Sequence, residues 1–333
     1  MVILLSLIAV VMFIMTPPVY VQAQETFNLK YGGIHNSNDP METAPAWWAN
    51  ELEKRTGGRV KIKLYFNSAL GQQFDTPKLL RSGIVDIVWL SNAIAEFPML
   101  KILNIHTPYI IPDCDLRKTQ EIFWALYDKG FFKELDDFKP LWFQPNDPFY
   151  PVLRKKKVTT VEELKGMKMR GLPGTSSELW DALGATAVAM PAADVYTALE
   201  RGTLDGLMTV PAFVLYTMPL HEVAKYWIWQ PMMGGGNLVA MSQKLWNSFP
   251  PDIQAIIEKL NKEAEVWYAK SLPTPVQQRE MLKEKGWEVY DLSPEVREKW
   301  RNGCYPVIEK WAEETEAKGL PARRAIEFLK TAK

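Results

Sequence analysis

Segments of strand length and helix length alternate along most of this chain, and that alternation narrows its fold more than any other feature. "FNLKYGG" (27–33) reads as a strand and is followed by the loop "IHNSNDP". Asp39 then fits an N-cap, with Pro40 at the first helical position and Glu42 in the first turn. The helix this begins runs to about Arg55, where Gly57 and Gly58 stop it. "RVKIKLYF" (59–66) alternates polar with apolar residues, as a half-buried strand does. A helix over 74–81 leads through Gly83 into a buried strand at 84–90. The second half repeats the scheme: "KGMKMR" as strand, 176–184 as helix, "ATAVAMP" as strand, 192–202 as helix and "TLDGLMTV" as strand. Alternation of this kind implies helices packed on a mostly parallel sheet.

The two halves also echo each other. "LLRSGIVDIVWL" (79–90) and "ALERGTLDGLMT" (198–209) share one layout of helix, glycine, two residues, aspartate and strand, matching Gly83 to Gly202 and Asp86 to Asp205. The layout suggests two similar lobes. The two aspartates precede the strands' carboxyl ends, so they read as turn or cap residues. In open α/β sheets ligands sit beyond those carboxyl ends, which places Trp89–Asn92 and Thr209–Phe213 at a shared cleft. Further on, Gly234 to Gly236 permit a close backbone approach or a hinge, and no phosphate-loop lysine follows them. Pro250 and Pro251 open a long helix whose apolar face carries Ile253, Ile256, Ile257, Leu260, Ala264 and Trp267. Pro273 and Pro275 should kink or interrupt it. "WEVYDLSPEV" gives a strand and then Ser293 as N-cap of a helix to about Lys318, with one short helix beyond Gly319.

Lys plus Arg and Asp plus Glu both total 39, so net charge is zero, which argues against broad nucleic-acid or anionic-membrane binding. Residues Val2 to Met15 are almost all apolar, a run too short for a membrane span of about 20 residues. With Ala23 behind them they read as a cleaved secretory signal over 1–23, although no Lys or Arg precedes the apolar core. The mature chain should then not insert into a membrane. Cys114 and Cys304 lack metal-ligand spacing, and sequence alone leaves open whether they pair. No GxSxG, HExxH, CxxC or GxGxxG is present, and of the three isolated histidines only His35, in the loop after the first strand, is a site candidate.

Taken together, "WANELEKRTGGRVKIKLYFNSALGQQFDTPKLLRSGIVDIVWLS", "TVEELKGMKMRGLPG", "ALGATAVAMPAADVYTALERGTLDG" and "GGGNLVAMSQKLWNSFPPDIQAIIEK" resemble one family, over essentially the whole mature chain. It is the periplasmic solute-binding proteins of tripartite ATP-independent (TRAP) transporters, the DctP type. The resemblance implies a periplasmic-binding-protein-like α/β fold with two α/β domains around a central ligand cleft. Domain I would comprise 24–149 plus about 237–265, and domain II 150–236 plus about 266–333, with the long helix from about 251 spanning both. It implies a receptor, not an enzyme, that captures a small organic acid in the periplasm and delivers it to the small and large TRAP membrane subunits. A receptor serving a sensor or an ATP-driven importer is the alternative, and a secreted enzyme on the same scaffold a further one. Arg170 matches the arginine that grips the ligand carboxylate, a role suited to a permanently charged fork of donors. Trp89, Asn92, Tyr150, Thr209, Phe213 and Asn237 are expected to line the pocket, with His35 at its rim. The chain departs from the family in carrying Leu207, Met208 and Thr209 where Gln-Glu-Asn is common. A metal-dependent subgroup uses Glu-Trp here, so neither metal nor cofactor is expected. Fewer polar partners and more aromatics point to a less polar acid, aromatic or branched.

Overall fold

A computed structural model describes residues 25–331, apart from 93, 105–115, 172–173, 191 and 217. The expected signal over 1–23 and Cys114 lie outside the described residues. The strands form two sheets. The first, in the order β2-β1-β3-β10-β4, comprises β1 (Phe27–Gly32), β2 (Val60–Tyr65), β3 (Ile87–Ser91), β4 (Phe138–Pro145) and β10 (Gly236–Ser242). The second, in the order β11-β9-β5-β8-β6-β7, comprises β5 (Tyr150–Leu153), β6 (Lys168–Gly171), β7 (Thr186–Ala189), β8 (Gly206–Thr209), β9 (Tyr226–Ile228) and β11 (Glu288–Tyr290).

Each sheet is parallel except for one reversed strand. β10 runs antiparallel to both β3 and β4, and β5 runs antiparallel to both β8 and β9. The reversed strands are the ones the chain enters on crossing between sheets, and their direction fixes how the sheets face. The chain leaves β4 at its carboxyl end and enters β5 after residues 146–149, a gap of at most about 18 Å. It leaves β9 at its carboxyl end and enters β10 after 229–235. The carboxyl edges of the two sheets are therefore turned toward each other. The crossings also bond to each other: Phe149 N donates to Met233 O (2.8 Å), Met232 N to Phe149 O (2.9 Å) and Asn146 N to Gly235 O (3.0 Å).

Helices cover both faces of each sheet. On one face of the first, α1 (Pro40–Arg55) and α8 (Pro251–Ser271) bury Trp48, Leu52, Ile253, Ile257 and Leu260 against Trp89, Trp142 and Val239. On its other face lie α2 (Thr76–Arg81) and α3 (Leu116–Asp128), whose Phe123 stacks on Phe143 at 4.6 Å. The second sheet is covered on one face by α4 (Thr175–Ala182), and on the other by α5 (Ala192–Arg201), α6 (Pro211–Tyr216) and α9 (Pro275–Glu284). α7 (Gln243–Ser248) follows β10, capped by Ser242.

Several expectations meet their physical cause here. Asp39 accepts from Met41 N at the start of α1, and Ser293 from Val296 N at the start of α10 (Pro294–Glu316). Gly83 and Gly202 have φ of +71° and +75°. Behind them, Asp86 Oδ2 accepts from Lys30 N and Asp205 Oδ2 from Lys168 N, both at 2.8 Å. Each aspartate also donates its own N–H back to the same lysine's carbonyl, at 2.9 and 2.8 Å. The echo is thus one device used twice, an aspartate fastening a strand's start to its neighbour. At Gly236 a Cβ would sit 2.2 Å from Phe143 Cζ, so the triple glycine serves close approach.

The spanning helix differs from the expectation. The helix from Pro251 ends at Ser271, Pro273 follows, and α9 restarts at Pro275 under a Thr274–Gln277 capping box. No continuous helix joins α8 to α9, because prolines deny it the N–H groups. α8 packs on the first sheet and α9 on the second. The helix with side chains in both cores is α10: Trp300, Cys304 and Val307 belong to the second sheet's core, Ile308, Trp311 and Ala312 to the first's. α11 (Ala322–Thr331) buries Ala325, Ile326 and Leu329 in that first core, so the last helix packs with the first sheet and not with the second.

One carboxylate in this scaffold gives a pH signature. Glu134 accepts from Leu100 N (2.9 Å) and Met99 N (3.2 Å), holding the turn that follows β3. Burial outweighs those bonds and raises its pKa to about 7. The folded state therefore binds more protons than the unfolded one between the ordinary carboxylate value and about 7, so Glu134 lowers stability as pH rises through that window. Glu134→Gln should flatten the pH 5–7 slope in urea melts of the protein, and an unaltered slope would refute the assignment.

Candidate functional site

Tyr150 and Thr209 stand at the carboxyl edge of the second sheet with Arg170 next to it, and Asn92, Asn237 and the His35 loop stand at that of the first. On the second sheet, side-chain alternation decides the face. Met169 packs in the α4-side core, so Arg170 points to the opposite face, as do Leu207, Val152 and Tyr150. Arg170 pairs in register with Leu207 and Val188, and Thr209 pairs with Tyr150. Arg170, Thr209 and Tyr150 therefore share one face at one edge. The glycines that frame Arg170 have a packing cause. A Cβ on Gly171 would meet Ser177 N at 2.9 Å, so only glycine lets α4 approach β6 this closely. Trp180 Nε1 then ties α4 to the Arg170 carbonyl at 3.1 Å.

The Arg170 side chain is half-buried, and its Nε donates to Met190 O at 3.3 Å. Among the described residues no carboxylate pairs with its guanidinium. Burial alone acts on its pKa, pushing it down from the usual arginine value, and it stays charged because arginine does not deprotonate in proteins. A cation held partly out of water without an anion is poised to take one.

Tyr150, only 2% exposed, stacks on Trp229 with ring centroids 4.5 Å apart, and the Arg279 guanidinium lies 5.5 Å from the Trp229 ring on α9. Trp229 was missed from sequence, although it directly follows β9 and so stands at a strand's carboxyl end. Thr209 is buried at the end of β8. Phe213 lies in α6, immediately beyond that strand, but its side chain lies outside the described residues.

The first sheet contributes a polar, tightly bonded edge. Asn92 Nδ2 donates to Asn104 Oδ1 at 2.5 Å, and Asn237 Nδ2 to Asn146 Oδ1 at 2.9 Å. Asn104 O also accepts from Gly234 N at 3.0 Å. Both asparagines are buried, and these amide donors tie the crossing segments. Trp89 is 4% exposed and meets the His35 ring edge-to-face at 5.4 Å. Gln144, fully buried on the same face, donates from Nε2 to Met41 O at 3.1 Å. Trp89 Nε1, His35 Nε2 and Gln144 Oε1 are buried atoms with no hydrogen-bond partner among the described residues.

Glu42, fully buried, holds the His35 loop from below. It accepts from Tyr31 Oη (2.7 Å), Ile34 N (2.8 Å) and His35 N (2.9 Å). Burial nonetheless raises its pKa above the usual carboxylate range. Its first-turn position was visible in the sequence, but its inward direction was not. Among the described residues there is no group of three or more His, Cys, Asp or Glu side chains able to hold a metal, and no helix is long and apolar enough to cross a membrane.

Comparison with known proteins converges on one kind of molecule. A model of the family "Bacterial extracellular solute-binding protein, family 7" (DctP) matches residues 31–315. The C4-dicarboxylate-binding periplasmic protein DctP of Rhodobacter capsulatus is 26% identical over 311 residues, covering 90% of this chain and 91% of that protein. A TRAP periplasmic solute-binding protein of Ochrobactrum anthropi superposes with a TM-score of 0.81 at 22% identity, over 92% of this chain and 96% of that one. A marine metagenome TRAP solute-binding protein specific for aromatic acid ligands, in complex with 3-hydroxybenzoate, superposes with a TM-score of 0.79 at 21% identity, over 92% and 98%. At these identities the structural likeness shows the fold alone, the two-sheet α/β architecture of TRAP solute receptors.

Proposed function

The chain belongs to the bacterial extracellular solute-binding proteins of family 7, and from that premise we propose that it is the periplasmic receptor of a TRAP transporter, binding a small organic acid through Arg170. One observation carries the reading: a half-buried guanidinium at the carboxyl edge of the second sheet, with no carboxylate partner among the described residues. Folding has already removed part of the water from that cation, so a carboxylate meets a preorganised fork. Bidentate contact supplies the strongest kind of hydrogen bond available to it. Closure of the two edges over the ligand further excludes water and shifts the population toward the closed form.

The favoured ligand is an aromatic acid. Tyr150 and Trp229 supply a stacked pair on the arginine's side of the cleft, and a protein of the same fold binds 3-hydroxybenzoate. Delivery then falls to the membrane subunits of the transporter, with no cofactor, metal or turnover involved. A thermal-shift screen of carboxylates tests the reading. A true ligand at 100 times its Kd adds about 2.7 kcal/mol of stability, a shift of several degrees. Aromatic monocarboxylates should head the panel. A panel in which neutral solutes stabilise the protein and no carboxylate does would end the proposal.

A further inference from the structure

The loop that follows β1, at the carboxyl edge of the first sheet, holds His35 in a fixed position. The His35 backbone is bonded on both sides, its N–H to Glu42 Oε1 at 2.9 Å and its carbonyl by Asn67 N at 2.8 Å. The bonding turn is itself strained. Asn67 and Ser68 both take left-handed backbone conformations, with φ of 56° and 55°, and Ser68 N donates to Gly33 O at 3.1 Å. Two consecutive non-glycine residues in that region cost free energy and persist only where the surroundings hold them. The His35 side chain is held as well. Its Nδ1 faces Asp39 Oδ2 at 3.5 Å, and its ring meets Trp89 edge-to-face at 5.4 Å.

All this fixing leaves a polar atom on each of the two rings with no partner among the described residues. His35 Nε2 and Trp89 Nε1 are both buried and unbonded, on two rings in contact. The indole N–H can only donate. The Asp39 carboxylate beside Nδ1 favours the tautomer with its hydrogen there, which makes Nε2 an acceptor. A donor and an acceptor on two rings in contact suit a group that accepts from one and donates to the other. A hydroxyl does both, whereas a methyl, a halogen or bare ring carbon does neither.

Building on the Arg170 reading, we infer that His35 Nε2 and Trp89 Nε1 form a second recognition point that takes a hydroxyl at the end of the ligand remote from its carboxylate. The ligand class is therefore a hydroxyl-bearing aromatic acid rather than an unsubstituted one. The two ends of the ligand are read by different sheets, which couples recognition of the hydroxyl to closure. Buried polar atoms left unpaired by an analogue lacking the hydroxyl are the basis of discrimination.

Titration calorimetry of the mature protein with benzoate, 3-hydroxybenzoate and 4-hydroxybenzoate tests this. At least one hydroxybenzoate should bind about tenfold or more tighter than benzoate. His35→Phe, which keeps the ring against Trp89 and removes both nitrogens, should weaken that hydroxybenzoate at least fivefold more than it weakens benzoate. His35→Gln, which returns a polar atom near the Nε2 position, should restore part of the preference. Trp89→Phe should also narrow it. Equal wild-type affinities for benzoate and both hydroxybenzoates, as expected if only water occupies the spot, would overturn the inference. So would a preference untouched by His35→Phe and Trp89→Phe. In both cases binding to Arg170 would stand, since benzoate still binds. If none of the three acids binds, this inference fails, and the carboxylate panel decides the Arg170 reading separately; if all bind Arg170→Ala as tightly as wild type, the carboxylate reading fails and this one with it.

Discussion

Replacing Arg170 with alanine should weaken binding of the cognate acid by at least about 100-fold. Two charge-assisted hydrogen bonds contribute about 1.5–3 kcal/mol each, and every 1.4 kcal/mol is tenfold in Kd. The empty protein should hardly notice. Among the described residues its guanidinium makes one long bond, to Met190 O at 3.3 Å, and is held partly desolvated without an anion. Losing the bond and the aliphatic stem is offset by releasing that charge, so the change in unfolding free energy should stay within about 1 kcal/mol. Arg170→Lys separates charge from geometry. It keeps a cation but loses the planar fork, and should bind with an affinity between wild type and alanine. Calorimetry paired with a circular-dichroism melt reads both quantities. An alanine variant with wild-type affinity would remove the arginine from the site. One that melts far below wild type would instead make Arg170 a structural residue.

Most of the frame around this arginine was legible because it rests on local chemistry. Caps at Asp39 and Ser293, glycine stops at Gly83 and Gly202 and the proline break after Ser271 are decided within a few residues, and each formed where the sequence placed it. What escaped depends on partners distant in the chain. Asn92 and Asn237 read as pocket amides, and one hydrogen of each is bonded to another asparagine, Asn104 and Asn146, the latter 91 residues away in the first crossing segment. The reversal of β5 and β10 follows from the crossings too, and so does the α10 bridge between cores, which no periodicity signals. Acids on helices need not face solvent. Glu42 is fully buried, and Glu265 accepts from Trp124 Nε1 (2.7 Å) and Phe143 N (3.1 Å) with its pKa raised by burial. A helical carboxylate's direction is set by what the opposite element lacks, here backbone donors without acceptors.

Glu42→Ala should therefore be among the most destabilising single changes in the first domain, lowering stability by about 3–5 kcal/mol. The alanine leaves the Tyr31 hydroxyl and the N–H groups of Ile34 and His35 buried without their acceptor, and each such group costs about 1–3 kcal/mol less whatever relaxation recovers. Space is also shaped to the carboxylate. A Cβ on Gly33 would stand 2.6 Å from Glu42 Oε2, so the loop already lies against it. For a chain of this size the loss should lower Tm by roughly 5–8 °C. Glu42→Gln distinguishes acceptor from charge. The amide keeps an oxygen for the two backbone N–H groups, the Tyr31 hydroxyl can reorient, and the cost of a buried charge disappears, so the loss should be near 1 kcal/mol. If glutamine destabilised as much as alanine, the charge itself would be the source of stability, contrary to the burial that raises its pKa. The same variant reaches the ligand. His35 hangs from Glu42 by its backbone N–H, so the alanine variant should lose selectivity for the ligand's hydroxyl end even at temperatures where it remains folded. Calorimetry below its melting point would detect that loss, and intact selectivity would show that the loop is held without Glu42.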